Sequence, residues 1–491
     1  MVIKRSYILV LALVSYVVLV FPTLNKPFIG HHDWIGVWES NIARNLIRYS
    51  PLDTKFGQVI NAGPTVPKGF AFHTHYPPLL PIFLASSFIL MGESEATART
   101  LGVVFTLFSA TMIYKIGIKY FKPEIGTLAA IIFLAFPITI YFGRMPEHEI
   151  LVMGPVLLSL YLYLNFFLHP KKSNYIKLIL VLVFAHLIHW PGYYITPLLF
   201  IHYLIFAKKQ DLKIAFSFPL LSLVMFSIHM IYVATLTGSF FGGGLIDVLL
   251  FRLNLSQKPS TFTIPNFLNQ QAHLIFVYFT RVTVLLSALA ILPILKQIRR
   301  RSLTLSSQIL IILAVFGITH NAVFTNMAFI HDYMIIYMAP FFALASSTAF
   351  FYIVKFFNFP KIITITLTVI LISLVFFERR TYVQTLFSSN SFYPGYLIGT
   401  YIRENTNPPE ATLILSNDFG SYFDVFVSYY ADRNVFYRSK DLQQLKADIG
   451  ENRYKMYIAI PSRDTTYDSM VELQKHFRET LVDNYYIYTP K

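Results

Sequence analysis

The first residues that could do chemistry are the consecutive His31, His32 and Asp33, which follow an apolar run at 7–24. A carboxylate beside imidazoles can accept a proton from a substrate hydroxyl. Asp33 also precedes apolar residues that repeat every four positions over 33–48, so it is equally a candidate N-cap of an amphipathic helix. The two roles are compatible, and both stay open.

A second polar group lies in a short segment, 143–149, between two apolar runs. It contains Arg144, His148 and Glu149, which supply one cation, one imidazole and one carboxylate. A short loop also tolerates polar residues without any catalytic role, so a structural interpretation carries equal weight.

A third group flanks the proline-rich apolar segment 77–91, with His75 and Tyr76 before it and Arg99 after it. Imidazole and guanidinium groups at a membrane surface suit a phosphate. Anchoring at the membrane interface by Tyr76 and Arg99 is the alternative.

A fourth group, His331 and Tyr333 on either side of Asp332, begins a late apolar run. Other histidines fall inside apolar runs, and we interpret them as packing or hydrogen-bonding residues of a helix bundle. These are His186, His189, His202 and His229.

Several of these side chains are of types that bind metal ions in proteins. The sequence has no HExxH or comparable spacing, and the absence of cysteine excludes thiolate sites. No cofactor is predicted with certainty, and a divalent metal ion is left open. Its candidate ligands are His31, His32, Asp33, His148 and Glu149.

Composition places these residues in a membrane protein. The chain has 491 residues and a net charge of +15, yet only 13% of its residues are charged and 55% are hydrophobic. Nucleic-acid-binding and disordered basic proteins are rich in charge, so both classes are disfavoured. Runs of about 20 apolar residues predict a polytopic α-helical membrane protein with about eleven spans. The predicted spans are 7–24, 99–120, 124–142, 150–168, 175–190, 193–207, 213–236, 271–295, 305–325, 332–353 and 361–377.

The segment 77–91 decides the orientation. Its 15 residues carry three prolines, which favours a re-entrant or interfacial segment. With 77–91 not spanning, seventeen Lys and Arg lie in cytoplasmic loops, and the short outer loops hold one, Arg144. We therefore predict a cytoplasmic N-terminus in the cell membrane. Acidic residues gather on the outer side and avoid the middle of spans, which argues against ion-coupled transport.

Two domains are predicted. A transmembrane domain over 1–377 has long outer loops at 25–98 and 237–270, and the first of these holds the interfacial helix and the re-entrant segment. A small extracytoplasmic α/β domain follows at 378–491, where charges return and apolar runs shorten. Its candidate strands are 411–416, 456–461 and 485–489, and its candidate helices are 394–404, 441–449 and 468–477.

The order of the motifs resembles one known superfamily. An acid-bearing first loop is followed by short motifs in sequence: NIARN at 41–45, PPLL at 77–80, GESE at 92–95, GRMxxHE at 143–149 and HDYxxxYxxP at 331–340. This order resembles the GT-C membrane glycosyltransferases, and most closely their branch of protein O-mannosyltransferases and lipid A aminoarabinose transferases. The resemblance is good over about 1–170 and weak in the middle spans.

The resemblance implies specific roles. Asp33 would be the general base for the acceptor hydroxyl, Glu149 the second-loop acid, and His148 the group that orients the acceptor or the acid. The departing phosphate would be held by His75, Arg99 and Arg144. The neighbouring His31, His32, Tyr76, His331 and Tyr333 are expected to bind substrate. In two places the chain departs from its relatives: Tyr76 replaces a lysine before the two prolines, and Trp34 replaces a second acid.

The sequence therefore predicts a glycosyltransferase that moves one monosaccharide from a polyprenyl-phosphate (for example dolichyl-phosphate) donor to a protein, lipid or glycan acceptor on the extracytoplasmic face, with inversion. Its partners are this donor, the acceptor and membrane lipid, and not nucleic acid. The alternatives are an oligosaccharyltransferase-like enzyme and a flippase or transporter of lipid-linked saccharides.

Overall fold

A computed structural model describes residues 5–65, 69–256, 262–408, 410–415, 422–438, 442–459, 467–483 and 485–491. Helices dominate the chain up to residue 405. They are α1 (Arg5–Val20), α2 (Trp34–Arg48), α3 (Leu79–Met91), α4 (Glu95–Tyr120), α5 (Pro123–Ala135), α6 (Pro137–Phe142), α7 (His148–Leu168), α8 (Lys172–Ile188), α9 (Pro191–Phe206), α10 (Leu212–Thr237), α11 (Leu245–Arg252), α12 (Ile264–Tyr278), α13 (Arg281–Arg299), α14 (Leu305–Val323), α15 (Thr325–Ile330), α16 (Ala339–Phe356), α17 (Lys361–Phe377), α18 (Arg380–Ser388) and α19 (Tyr393–Asn405).

The multi-pass prediction is confirmed. Among the described residues, eight helical segments are long and apolar enough to cross a membrane. They are Ser6–Thr23, Glu95–Tyr120, His148–Leu168, Leu212–Thr237, Arg281–Arg299, Leu305–Val323, Asp332–Phe356 and Lys361–Asn405. Of the other predicted spans, 124–142 is divided at Phe136 into α5 and α6, and α8 and α9 have only 17 and 16 residues.

The predicted span 271–295 is wrong in its boundaries. The chain breaks at Phe279 and Thr280, where Thr280 has a φ of 64°. The Arg281 N–H at the start of α13 is held by the Glu378 carboxylate at 3.0 Å. Because α12 ends before this break, the spanning helix begins at Arg281. The segment 77–91 forms the 13-residue α3, which is shorter than a spanning helix.

The chain divides into two compact units. The membrane unit comprises Met1–Asn25, Thr74–Phe83 and Ala96–Phe387. Its centre is formed by α7 and by the segment Asp332–Phe356, which are mostly buried, while the spans α1, α10, α13 and α17 expose apolar faces suited to lipid. Gly117 lets α4 touch α5, since a Cβ there would lie 2.3 Å from the Gly126 Cα.

The loop–sheet unit comprises Lys26–His73, Leu84–Glu95 and Ser388–Lys491. It therefore contains much of the first outer loop together with the C-terminal region, and the predicted boundary at 377/378 stays a prediction. Arg44 on α2 donates to Glu93 at 2.5 Å and to the Tyr429 carbonyl at 2.8 Å, which ties the loop to the C-terminal region. A two-residue pairing of β1 (Gln58–Val59) with β2 (Phe72–His73) closes the loop.

The C-terminal region is an α/β fold, as predicted. It is built from β3 (Ala411–Leu415), α20 (Tyr422–Ala431), β4 (Asn434–Arg438), α21 (Leu442–Gly450), β5 (Met456–Ala459), α22 (Tyr467–His476), β6 (Phe477–Val482) and β7 (Tyr485–Pro490). The strand order is β4-β3-β5-β7-β6, with β4, β3 and β5 parallel and β7 antiparallel to both neighbours. Leu413 and Ile414 on β3 face opposite sides, so a core forms on each face. Sequence reasoning missed α20, β4 and β6. Residues 416 and 460–461 of the predicted strands lie outside the described residues.

Candidate functional site

Asp33 belongs to the loop–sheet unit and directly precedes α2. It occupies the N-cap position, but its side chain makes no capping hydrogen bond to the helix. Its carboxylate instead accepts from the Gly30 N–H at 2.8 Å, and the residue is buried. The rings of His31 and His32 lie 4.2 Å apart, and His32 adopts a φ of 56°. The prediction that the Asp33 side chain caps α2 is therefore wrong. The carboxylate is held instead by a backbone N–H of the loop that precedes the helix.

In the membrane unit, Glu149, His148, Tyr76 and His189 form one cluster. His148 and Glu149 open α7, Tyr76 precedes the prolines before α3, and His189 follows α8. The Glu149 Oε1 lies 3.2 Å from the His189 Nε2, and both side chains are buried. The Tyr76 ring stacks on His148 at 4.5 Å and meets the His189 ring edge at 5.0 Å. A carboxylate, two imidazoles and a phenol thus share one buried site.

Arg252 supplies the positive charge of this cluster. It ends α11, and its Nη2 donates to the Tyr76 hydroxyl at 2.8 Å, while its guanidinium carbon lies 4.6 Å from the Tyr76 ring centroid. Sequence reasoning missed Arg252 because it assigned 237–270 to a long outer loop and predicted no helix there. The signal was present in LIDVLLFR at 245–252, an apolar helical turn that ends in arginine.

Three further residues extend the cluster and were also missed. The His320 ring lies 4.9 Å from the Tyr337 ring and 5.9 Å from the Tyr194 ring. His320 Nε2 contacts the Met334 Sδ at 3.1 Å. Within the described part of the chain, the buried hydroxyls of Tyr194 and Tyr337 have no hydrogen-bond partner. They are therefore available to polar groups of a substrate.

An apolar groove leads to this cluster. It has a volume of about 230 Å³ and reaches Arg252 at its polar end. The groove lies between α9, α10 and α11, and its lining includes Trp190, Tyr193, Phe226, Met230, Leu245 and Leu249. A groove of this shape suits a hydrocarbon chain whose head carries negative charge.

His75 fastens the chain segment before α11. His75 Nε2 lies 3.2 Å from the Gly243 carbonyl, and the Thr74 hydroxyl donates to the Gly242 carbonyl at 3.1 Å. The Trp190 indole N–H donates to the His75 carbonyl at 2.9 Å. Gly243 has a φ of 68°, and a Cβ there would meet the Thr74 hydroxyl at 2.6 Å, so the contact requires glycine. Burial and the charge of Arg252 lower the pKa of His75 to about 4.

The two arginines predicted from the sequence lie elsewhere in the membrane unit. The Arg99 Nη1 donates to the Leu24 carbonyl at 3.0 Å, and the Arg99 side chain is fully buried. The Arg144 guanidinium is buried between the Tyr141 and Phe387 rings, 5.0 Å from each centroid. These contacts do not involve Glu149.

His331 and Tyr333 lie side by side, with ring centroids 5.4 Å apart. The Tyr333 ring also packs against the Phe142 ring, with centroids 5.4 Å apart. Asp332, between His331 and Tyr333, accepts a hydrogen bond from the Tyr278 hydroxyl.

Three of the four histidines assigned to packing make the predicted hydrogen bonds. His186 contacts Ser222 at 2.9 Å, His202 contacts Tyr163 at 2.7 Å, and His229 contacts the Thr74 carbonyl at 3.3 Å. His189 differs because its partner is Glu149. Of the metal candidates, His148 and Glu149 belong to the membrane unit and the others to the loop–sheet unit, and a metal site stays a prediction.

Comparison with known proteins agrees with this architecture. Residues 75–233 match the family model of dolichyl-phosphate-mannose-protein mannosyltransferase. ArnT from Cupriavidus metallidurans bound to undecaprenyl phosphate is similar in structure, with a TM-score of 0.63 and 12% identity over 99% of this chain and 98% of that chain. AglB from Archaeoglobus fulgidus, an oligosaccharyltransferase in complex with an inhibitory peptide and a dolichol-phosphate, gives 0.57 and 12% over 99% of this chain and 74% of AglB. No curated protein matches the chain in sequence. The chain therefore has the GT-C fold, and the resemblance indicated by its motifs is confirmed.

Proposed function

We propose that this GT-C-fold protein is a membrane glycosyltransferase that moves one monosaccharide from a polyprenyl-phosphate carrier to an acceptor on the extracytoplasmic face. One observation carries the proposal. An apolar groove between α9, α10 and α11 ends at Arg252, which donates to the Tyr76 hydroxyl. The Tyr76 ring in turn contacts His189 of the buried Glu149–His189 pair. The apolar groove suits the hydrocarbon tail of a lipid, and the positive charge of Arg252 suits its phosphate. The sugar attached to that phosphate would then bind near the Glu149 carboxylate.

The donor's phosphate would be bound by Arg252 and Tyr76. A guanidinium offers parallel N–H donors to two phosphate oxygens, and the Tyr76 hydroxyl adds a third donor. Relatives with this fold bind undecaprenyl phosphate or dolichol phosphate, which supports the same class of ligand here. The resemblance implies that His75, Arg99 and Arg144 would also hold the phosphate. His75 lines the groove with Arg252, whereas the two arginines make their contacts elsewhere in the membrane unit. Arg252 would supply the positive charge that relatives obtain from the lysine directly before the two prolines, where this chain has Tyr76.

The reaction is a displacement at the anomeric carbon. The acceptor hydroxyl oxygen forms a bond to that carbon, the bond from carbon to phosphate oxygen breaks, and the electron pair leaves with the lipid phosphate. The hydroxyl proton passes to a carboxylate. By the resemblance that carboxylate is Asp33, while Arg252 and Tyr76 stabilise the charge that grows on the phosphate.

Glu149 and His148 would hold the reacting groups. The Glu149 carboxylate is fixed by His189, and His148 is fixed by the stacked Tyr76 ring. Fixed groups add to rate because no reorganisation is needed during the reaction. The hydroxyls of Tyr194, Tyr333 and Tyr337 would complete the sugar pocket.

A transfer assay tests the proposal. Protein is reconstituted in vesicles with radiolabelled polyprenyl-phosphate sugar, and label is followed from the lipid into an acceptor fraction. We expect Asp33→Asn to lower the rate by about 10²-fold to 10⁴-fold, the range for acid–base groups. We expect Glu149→Gln to lower the rate as well, because the amide no longer positions the reacting groups as the carboxylate does. Transfer at the wild-type rate by Asp33→Asn would overturn the base assignment. Movement of labelled lipid across the bilayer without transfer would favour a transporter, and transfer of whole oligosaccharides would favour the oligosaccharyltransferase alternative.

A further inference from the structure

A second groove lies at the other end of the membrane unit. It has a volume of about 450 Å³ and is formed by the α4–α5 junction, the start of α14 and the end of α16. The groove contains Ser306, and the candidate site contains His320, and both residues lie on α14. Fourteen residues of helix separate them, which is about 21 Å. The groove is therefore remote from the candidate site.

The lining of this groove combines positive charge with aromatic rings. Lys122 and Lys355 supply the charge, and in the described part of the chain no acidic residue lines the groove. Its rings come from Tyr120, Phe121, Phe351, Tyr352 and Phe356. Tyr352 and Phe356 are about two-thirds exposed, although both are large and apolar. Tyrosine is enriched at the level of lipid headgroups, and two of these rings, Tyr120 and Tyr352, are tyrosines.

The two lysines differ from their neighbour Lys119. The Lys119 ammonium group donates to the Asn165 side chain and lies 5.2 Å from the Tyr161 ring centroid. Its hydrogen-bond and cation–π partners therefore come from the protein. Lys122 and Lys355 are exposed, and neither forms an ion pair or a side-chain hydrogen bond with any residue described. Two ammonium groups beside the same cavity, with no acidic residue in its described lining, make the groove complementary to an anion.

We propose that this groove binds the headgroup of an anionic phospholipid. Basic pockets between membrane helices on the cytoplasmic side bind such headgroups, and the predicted orientation places the groove on that side. Lys122 and Lys355 would hold the phosphate, the Ser306 and Thr348 hydroxyls border it, and the exposed rings of Tyr352 and Phe356 lie along the acyl chains.

Native mass spectrometry of the full chain in detergent tests this inference. The protein is mixed with equal amounts of dioleoyl-phosphatidylglycerol and dioleoyl-phosphatidylcholine, and the ratio of the two bound lipids is measured. Wild type is expected to prefer phosphatidylglycerol. The double variant Lys122→Gln/Lys355→Gln should lose this preference by about 25-fold, since each lysine near an anionic lipid contributes about fivefold. The double variant with arginine at both positions should keep it.

The matched control is Lys208→Gln/Lys209→Gln, which removes two exposed lysines of another loop on the same predicted side. It should bind lipid as wild type does. An unchanged lipid ratio in Lys122→Gln/Lys355→Gln would overturn the proposal. An equal loss in the control would also overturn it, because attraction would then come from overall charge.

Discussion

At the scale of residues, His189 shows how a buried side chain acquires a role that spacing does not reveal. Its sequence context, inside an apolar run, is the same as that of His202. The structure places its Nε2 3.2 Å from Glu149, whereas His202 contacts Tyr163 and Gln308. Glu149 and Tyr163 both lie on α7, so the difference arises from the position along α7 that each histidine faces, which is a property of packing.

Removing His189, the partner of Glu149, should lower kcat more than it weakens binding of the lipid donor. His189→Ala leaves Glu149 free to turn, so we expect kcat to fall about tenfold to 100-fold with the KM for the lipid donor unchanged. His189→Gln keeps a donor and should recover part of the loss. Steady-state kinetics measure both. His202→Gln is the control, and an equal effect there would show that His189 acts only in packing.

His75 makes folding sensitive to acid. Because the pKa of His75 is lowered to about 4, the unfolded chain binds a proton between about pH 6.5 and pH 4 that the folded chain does not. The free energy of unfolding therefore falls as the pH drops through this window. Thermal unfolding of His75→Gln should show a smaller drop in Tm from pH 7 to pH 4.5 than wild type. An exposed histidine, His169, provides the control substitution His169→Gln, and parallel curves for all three proteins would contradict this account.

At the scale of elements, α11 shows that a segment predicted as a loop forms one wall of the apolar groove. Its eight residues follow Gly242, Gly243 and Gly244, and the glycine contacts with Thr74 and His75 fix where it begins. Leu249 lines the groove, while its neighbour Leu250 does not, although the two are similarly exposed.

These two leucines give a matched test of the groove. Leu249→Asn should raise the KM for a long-chain donor about tenfold, because burying an amide without a partner costs about 1–3 kcal/mol. Leu250→Asn should change it less than twofold. The KM of each variant is measured with a long-chain donor and with a short-chain donor. An equal rise in KM for Leu249→Asn and Leu250→Asn would indicate that the lipid tail does not bind in this groove.

Sequence reasoning found the elements with strong patterns and missed those that depend on tertiary contact. The long spans, β3, β5 and β7 follow from apolar runs. The break at Thr280 does not, because it is fixed by Glu378, almost a hundred residues away. In the same way Glu149 and His148 could be predicted from their loop, whereas Arg252 could not, because α11 contributes it from a distant part of the chain.

At the scale of the whole molecule, the asymmetric distribution of charge predicts orientation. The loops that this orientation assigns to the cytoplasm would hold seventeen Lys and Arg, and this excess depends on the interpretation that α3 does not span. A spanning α3 would place most of the later basic clusters outside and contradict the positive-inside rule.

Cysteine labelling tests this orientation because the natural chain has no cysteine. A membrane-impermeant maleimide should label Ser94→Cys in intact cells or right-side-out vesicles. Ser302→Cys, in the loop after α13, should label only after the membrane is opened. The reverse pattern would refute the assignment of α3 and place the candidate site in the cytoplasm.

The central claim is that Arg252 holds the phosphate of a polyprenyl carrier at the end of the apolar groove. It is tested most directly by measuring the Kd of purified protein for polyprenyl phosphate. We predict that Arg252→Gln weakens binding about 30-fold or more, since a charged hydrogen-bond partner of a phosphate contributes about 2–5 kcal/mol. Arg281→Gln, which changes an exposed arginine at the start of α13, should leave the Kd unchanged. Equal Kd values for wild type and Arg252→Gln would contradict the account.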